Sequence, residues 1–271
     1  MRELMKRILV ALSRSTKAQR VLERFVEMIQ SLMGIGSGGV PESSGEHVLV
    51  DLLINRSRAL HRPLCVLDVG ANRGQFLSMI VNGLGDVPFH VHAIEPSASA
   101  FRALAAEHSD SSRVTLNQLG LGKEEGTLAL YSNAEGSGIA SLYPRRLDHF
   151  GIDFSLTESV SIGTLDTYCE RHALRVIDLL KLDVEGHELD VLRGASQLLK
   201  DGVIDTITFE FGGCNIDSRT YFQDFFYFFK SYGSFRLFRI TPSGFLAPLD
   251  EYREVYEQFR TTNFLVRRID T

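Results

Sequence analysis

The sequence predicts an open α/β sheet, mostly parallel, whose ligands bind beyond the carboxyl ends of the strands. Three observations predict it. From Pro63 onward, short apolar runs alternate with stretches of helical periodicity. The first run, Leu64 to Val69, ends in the glycine-bearing turn Gly70-Ala-Asn-Arg-Gly74, which opens a helix. The composition, 44% apolar and 23% charged over 271 residues, is that of a globular chain able to bury a core without metal or disulfide help.

The elements follow in order. Leu64 to Val69 is an apolar strand, and Gln75 to Asn82 reads as a helix. Phe89 to Ile94 is a strand ended by Glu95-Pro96, and Ser97 is a good N-cap for a helix to Glu107. Val114 to Leu121 is a third strand, with Gly126 to Ser132 and Glu158 to Ile162 as extended arms. A short helix, Thr164 to His172, leads to a buried strand, Val176 to Leu182. One helix is expected from Glu188 to Lys200, stopped by Asp201-Gly202, because Val191, Leu192, Ala195, Leu198 and Leu199 recur at helical spacing. Ile204 to Phe211 is a fifth strand, Thr220 to Tyr232 an aromatic helix whose rings belong to the core, and 235–240 and 262–267 closing strands.

The charge balance, 29 basic against 34 acidic residues, argues against a nucleic-acid partner. Cys65, Cys169 and Cys214 are widely spaced and odd in number, which fits neither a disulfide framework nor a zinc site and suits a reducing compartment. The opening MRELMKRILVAL has too short an apolar run for a signal peptide, and no segment of about 18 apolar residues is present. A cytoplasmic location is expected.

Residues 1–46 read as a helical extension with a Gly-rich hinge, Gly34 to Pro41, and residues 47–271 as the main domain. Residues 1–27 hold seven Lys/Arg and three Asp/Glu. Val21, Leu22, Phe25, Ile29, Leu32 and Met33 share one helical stripe. Two readings stand for residues 1–33. One is a helix packed on the domain or on a partner chain, a homodimer included. The other is an interfacial helix at the surface of the inner membrane.

The residues just after each strand carry the chemistry. Gly70 lets the backbone approach a ligand, and Asp68, at the end of an apolar strand, needs a donor or cation nearby. The dinucleotide fingerprint fails, because Asn72 and Gln75 stand where glycines would, and a Walker lysine is absent. Glu95, at the end of the next strand, can accept from the vicinal hydroxyls of a ribose. Together these residues imply an adenosine-type ligand with a cationic amino acid tail, and S-adenosylmethionine fits both ends.

At that point the sequence resembles a known family. Residues 64–96 resemble motif I and the ribose acid of class I methyltransferases. Leu179-Leu-Lys-Leu-Asp-Val-Glu-Gly-His-Glu-Leu-Asp-Val-Leu-Arg-Gly-Ala195 is similar to the hallmark of the FkbM-type methyltransferases. Gly120 to Tyr131 and Thr164 to Tyr168 resemble two further blocks, in order, so the resemblance covers about residues 62–212. It implies a Rossmann-like class I methyltransferase fold with a seven-stranded sheet. It also implies an S-adenosylmethionine-dependent O-methyltransferase acting on hydroxyls of sugars, glycolipids or related natural products. Asp68, Gly70, Asn72 and Gly74 would hold the amino acid part of the cofactor, with Phe76 beside them. Glu95 and Pro96 would meet the ribose, and Leu119 and Gly120 the adenine. Asp183, Glu185 and Glu188 occupy the family's acidic motif, and His187 stands where members carry varied residues.

A sugar hydroxyl is a poor nucleophile and needs a base within hydrogen-bond reach or a metal ion. Alternation along a strand puts Lys181 and Asp183 on one face. Asp183, Glu185, His187 and Glu210 are the candidates for the reacting centre. Asp183 and Glu210, at neighbouring strand ends, would suit Mg²⁺, but two carboxylates alone are a thin metal signal, and a metal-free arrangement with His187 or a carboxylate as base is preferred. Tyr143 to Thr157, with Arg145, Arg146, His149 and Phe150, reads as a lid whose arginines would suit a substrate phosphate or carboxylate, or as a solvated basic patch, the reading preferred. Two other classes remain: a nicotinamide-dependent oxidoreductase, against which Asp68 and the missing glycine count, and a cofactor-binding subunit without catalysis.

Overall fold

The computed structural model describes residues 10, 13–39 and 44–269. Apart from Val10, the expected basic opening Met1 to Leu12 lies outside the described residues, as do Val40 and Pro41 at the end of the Gly-rich segment.

The main sheet is built from β1 (Leu64–Val69), β2 (Phe89–Ile94), β3 (Val114–Asn117), β7 (Leu179–Leu182), β8 (Thr206–Phe211), β9 (Phe235–Ile240), β10 (Leu246–Leu249) and β11 (Thr262–Arg268). Their order is β10-β9-β11-β8-β7-β1-β2-β3. From β3 to β8 all neighbours are parallel, and β11 runs antiparallel between β8 and β9. The strand order reverses between β1 and β7, where such a sheet opens a crevice beyond its carboxyl ends. The expected Rossmann-like α/β architecture is present, with eight strands rather than seven. The extra strand, β10, returns from β9 through a tight turn in which the Gly244 amide donates to the Thr241 carbonyl. It is a four-residue edge strand containing Pro248, a position where a missing amide costs no ladder bond. Its Leu-Ala-Pro-Leu pattern gives little strand signal.

Helices cover both faces. On one face lie α2 (His47–Ser57), α3 (Gln75–Leu84) and α4 (Ala98–His108), whose Leu49, Leu53, Leu77, Ile80 and Leu104 are buried against β1 and β2. On the other lie α5 (Leu165–Arg171), α6 (Glu188–Arg193), α7 (Ser196–Lys200) and α9 (Phe222–Tyr232), the short α8 (Cys214–Ser218) falling between β8 and α9. The aromatic run of α9 is core: Phe222, Phe225, Phe226 and Phe229 are buried, and Phe225 stacks on Phe209 with ring centroids 4.6 Å apart. The Glu257 carboxylate accepts from the Phe222 and Gln223 amides and so caps this helix from outside.

The single helix expected over 188–200 is two. It breaks at Gly194, where a Cβ would come within 2.1 Å of the Gly122 carbonyl oxygen. This close approach to the chain just after Leu121, not propensity, ends α6. Asp166 then accepts from the Gln197 and Leu198 amides and starts α7 anew. The expected third strand also divides. Val114–Asn117 stays in the main sheet, while β4 (Gly120–Leu121) joins β5 (Gly126–Ser132) and β6 (Leu156–Gly163) in a separate three-stranded sheet. The two extended arms are thus partners, antiparallel over 126–132 and 156–162.

The N-terminal extension holds α1 (Thr16–Leu32), capped by Ser15, whose hydroxyl accepts from the Ala18 amide. None of its residues is buried. The Gly-rich segment after it does not hang free. Gly36 and Gly38 amides donate to the Thr261 carbonyl, and Ile35 is buried. Residues 34–39 form a strap over β9 and β11.

Truncating Phe225 to Ala removes a fully buried ring from the stack behind β8. The expected cost is about 3–5 kcal/mol, measured as a lower denaturation midpoint in urea with an unchanged slope.

Candidate active site

The carboxyl ends of β1, β2, β7 and β8 hold two cavities separated by a shared wall. The narrower one is lined by Glu95, Pro96, Leu119, Gly120, Leu121, Ser137 and Leu142 among others. The larger, of about 410 Å³, is lined by Ala71, Phe76, Lys181, Thr208, Glu210 and Asn263 among others. Gly70, Asn72, Gly138, Asp183 and Glu185 face both.

The turn after β1 is shaped by its backbone. Gly70 has φ +83°, and a Cβ there would lie 1.8 Å from the Asp183 carbonyl oxygen, so only glycine lets the ends of β1 and β7 approach this closely. Asn72 is also left-handed, at φ +47°. Its amide donates to Glu95 Oε2 at 2.9 Å and its side chain to the Ser137 carbonyl at 3.0 Å. Glu95 Oε1 accepts from the Ser97 amide at 2.8 Å. Glu95 therefore orders two loops while facing the narrower cavity, and each oxygen keeps a second lone pair for a ligand hydroxyl.

Asp68 is wholly buried, and neither of its carboxylate oxygens has a hydrogen-bond partner. Its register neighbour on β7 is Lys181, whose Nζ stands 4.0 Å from Asp68 Oδ1 and 2.8 Å from Asp183 Oδ2. The same ammonium lies 5.0 Å over the Phe76 ring. Burial works against the charge of Lys181, but Asp183, Asp68 and Glu46 override it and raise its pKa. Lys181 is thus a fixed cation.

The acidic motif condenses at one point. Carboxylate oxygens of Asp183, Glu185 and Glu210 lie within 4.8 Å of one another. Glu185, at φ +52°, accepts from Arg145 Nη1 at 2.7 Å, and Arg145 also faces Asp217 at 3.6 Å. Desolvation, and then the neighbouring Asp183, push the Glu185 carboxyl up to about 8, against the pull of Arg145. The same two causes hold Glu210 well above the usual range. Burial raises Asp68 to about 6 and Glu95 to about 7.

Most of the expected site residues meet here: Asp68 behind the wall, Gly70, Asn72, Asp183 and Glu185 in it, Phe76 and Glu210 in the larger cavity, Glu95, Pro96, Leu119 and Gly120 in the narrower one. Two do not. Gly74 faces α4, where a Cβ would meet His108 and Leu104, and it serves packing. His187 lines neither cavity; its Nδ1 is 3.0 Å from the Tyr143 hydroxyl and its ring packs on Gly122. Glu188 is buried beneath the loop and accepts from the Val184 and Gly186 amides. Arg145 is an internal ion-pair partner, not part of a solvated basic patch.

Sequence reasoning missed Glu46, Gly38, Gly39, Thr208, Thr261 and Asn263, all in the larger cavity. Alternation on β8 could have found Thr208, two residues before Glu210. Asn263 is the register partner of Glu210 on the antiparallel β11, a pairing invisible before the sheet is assembled. Glu46 comes from the N-terminal extension and carries no motif.

The raised carboxyls make stability pH-dependent. Asp68, Glu95 and Glu185 have folded pKa values above their unfolded ones, so their contribution is complete below about pH 4 and is lost as pH rises through about 6 to 8. Without ligand, thermal scans should give a lower Tm at pH 9 than at pH 5.5, and Glu95→Gln should flatten the difference. A flat or rising profile in the wild-type chain would contradict these assignments.

The methyltransferase FkbM domain model matches residues 68–235. No curated protein matches the chain. Among solved structures, the methyltransferase FkbM from Methylobacillus flagellatus KT is similar, at 16% identity and TM-score 0.45, over 80% of this chain and 47% of that one. The chain thus spans about half the length of that relative. The SAM-dependent methyltransferase from Agrobacterium tumefaciens shows 10% identity and TM-score 0.43, over 86% and 64% of the two chains. The N-terminal domain of human METTL16 in complex with SAH shows 11% identity and TM-score 0.44, over 86% and 72%. With the family model matched over more than half of its length, this chain belongs to the methyltransferase FkbM domain family.

Proposed function

We propose that the protein is an S-adenosylmethionine-dependent O-methyltransferase whose acceptor is a hydroxyl-rich, sugar-containing molecule. One observation carries the reading: a narrow cavity beside the ribose acid and a wide polar chamber meet at a wall made by Asp183 and Glu185. A donor in the first and an acceptor in the second would face each other across that wall.

The residues fit the donor. Asp68, buried behind the wall with no hydrogen-bond donor to either oxygen and Lys181 at 4.0 Å, adds negative charge that would favour the ammonium of the amino acid tail. Glu95 would hold the ribose hydroxyls, with Pro96, Leu119 and Gly120 bordering the base. When bound, the cofactor supplies a sulfonium methyl for in-line displacement by an oxygen nucleophile. The chain's own part is alignment, proton removal and exclusion of water.

The acceptor class follows from the chamber's groups. Glu46, Asp183, Glu185 and Glu210 line it with Lys181, and the acids are in part paired, Asp183 with Lys181 and Glu185 with Arg145. Thr208, Thr261 and Asn263 add neutral donors and acceptors, the set a polyol requires. Glu185 takes the hydroxyl proton; a base with a pKa near the working pH is the most effective. Glu210, whose carboxyl burial and Asp183 push well above the ordinary range, lines the chamber where it can bond to an acceptor hydroxyl.

A divalent ion at Asp183, Glu185 and Glu210 is the second reading for proton removal. Lys181 already occupies Asp183 Oδ2 and Arg145 occupies Glu185 Oε2. Two of the three carboxylates thus have cationic partners, which supports the metal-free route. Unchanged turnover after treatment with a chelator is the expected result, and strict restoration by Mg²⁺ would replace it.

Asp68→Asn and Glu95→Gln should each weaken cofactor binding by about 1–3 kcal/mol in calorimetry with S-adenosylhomocysteine. Tight NAD binding without S-adenosylhomocysteine binding would favour an oxidoreductase instead. Glu185→Gln should lower kcat by roughly 10²–10⁴-fold and remove the rise of rate with pH toward about 8. The deciding assay is transfer of labelled methyl to extracted glycolipids and polysaccharides. Label in glycan supports the proposal, label confined to RNA or protein overturns the acceptor, and no transfer to any acceptor favours a cofactor-binding subunit.

A further inference from the structure

Among the described residues, the N-terminal helix α1 leaves its apolar face uncovered. At 100° per residue, Val21, Leu22, Phe25, Val26, Met28, Ile29 and Leu32 fall within an arc of about 160°, and every charged residue falls outside it. Leu32 is 72% exposed and Phe25 56% exposed. A contiguous apolar face of this size needs a partner. The helix is nonetheless firmly rooted. Gln30 Nε2 donates to Gln258 Oε1 at 2.9 Å, and Arg260 Nη1 donates to Gln30 Oε1 at 2.6 Å. At Gly34, with φ +89°, a Cβ would lie 2.2 Å from the Ile240 carbonyl oxygen. The root is therefore pressed against the sheet edge while the apolar face points away from the domain.

Charge decides what the face meets. Residues 1–27 carry seven basic and three acidic side chains, whereas the rest of the chain carries 22 and 31. Lys17 and Arg24 stand at the border of the apolar arc next to Met28, with Arg20 farther round the polar face. Long basic side chains at that border reach headgroups while the apolar side chains enter the acyl boundary. Pairing with a second copy of α1 would instead bring two basic segments together. We propose that α1 is an interfacial anchor that lies on an anionic lipid bilayer. No helix among the described residues is long and apolar enough to cross a membrane, so this contact is with one surface.

The anchor is continuous with the active site. From Leu32 the chain passes through the strap to Gly38 and Gly39, which line the larger cavity, and Thr261, which accepts from the strap, lines it too. The strap thus connects α1 to the rim of the larger cavity. The proposal holds whatever the acceptor proves to be, and its test needs none.

The test is sedimentation of the full chain with phosphatidylcholine vesicles, and with vesicles in which about one-third of the lipid is phosphatidylglycerol. Binding to the anionic vesicles that weakens as salt rises is expected, with little binding to the neutral ones. Arg24→Gln should lower the partition coefficient about fivefold, because each basic residue near an anionic surface contributes about that factor. Leu22→Glu and Phe25→Glu should abolish binding. Because α1 buries no side chain, both variants should keep the wild-type Tm and S-adenosylhomocysteine affinity, which separates loss of the anchor from loss of the fold. Three results would overturn the proposal: no binding to anionic vesicles, equal binding to both kinds, or wild-type binding by Phe25→Glu. A dimer that Phe25→Glu dissociates, without vesicle binding, would assign the face to a second copy instead.

Discussion

A single buried ammonium organises the reactive end of this sheet. Lys181 sits on β7 in register with Asp68 on β1 and with Thr208 on β8. It is bonded to Asp183 and faces Asp68. Without it, the carboxyls that gather where the parallel strands end would stand together with too little positive charge among them. Even with it the balance is incomplete: Asp68 keeps two unpartnered oxygens, and Glu185 and Glu210 are held above the ordinary carboxylate range. A crevice with this deficit favours a cationic ligand.

Around that centre the chain adds parts that a bare α/β sheet lacks. The three-stranded sheet of β4, β5 and β6 and the loop through Ser137 and Gly138 wall the narrower cavity. The strap and Glu46 close the larger one from the opposite side. Each wall is tied to a strand end by a bond from the site itself: Asn72 to the Ser137 carbonyl, Ser141 Oγ to the Glu185 carbonyl, and the strap amides to Thr261. Ordering of the cofactor turn and ordering of the walls are therefore the same event. Glu95 shows this most directly, because the oxygens that face the ligand cavity also accept the amides of Asn72 and Ser97.

The extension preceding the strap belongs to the site at one end and to none of the core at the other. Its glycines permit contacts that a side chain would block, at Gly34 against Ile240 and at Gly38 against Thr261. Its helix contributes no buried residue. The helix and the packed sheet thus share no core residue.

The sequence by itself determined the alternation of strands and helices, the aromatic core helix, the glycine turn after β1, and the acids at the strand ends. Each is a local property, a period, a turn requirement or a residue type at a strand terminus. Tertiary structure decided the rest. Gly194 ends a helix because Gly122 lies against it, and β10 exists because β9 offers an edge. Asn263 and Glu46 enter the site from segments far away in sequence. His187, beside the acids in sequence, is turned toward Tyr143 by the left-handed Glu185 and Gly186, so adjacency along the chain did not become adjacency to the reacting centre. Propensity and spacing act over a few residues, whereas register, close backbone approach and charge balance arise only when distant segments meet.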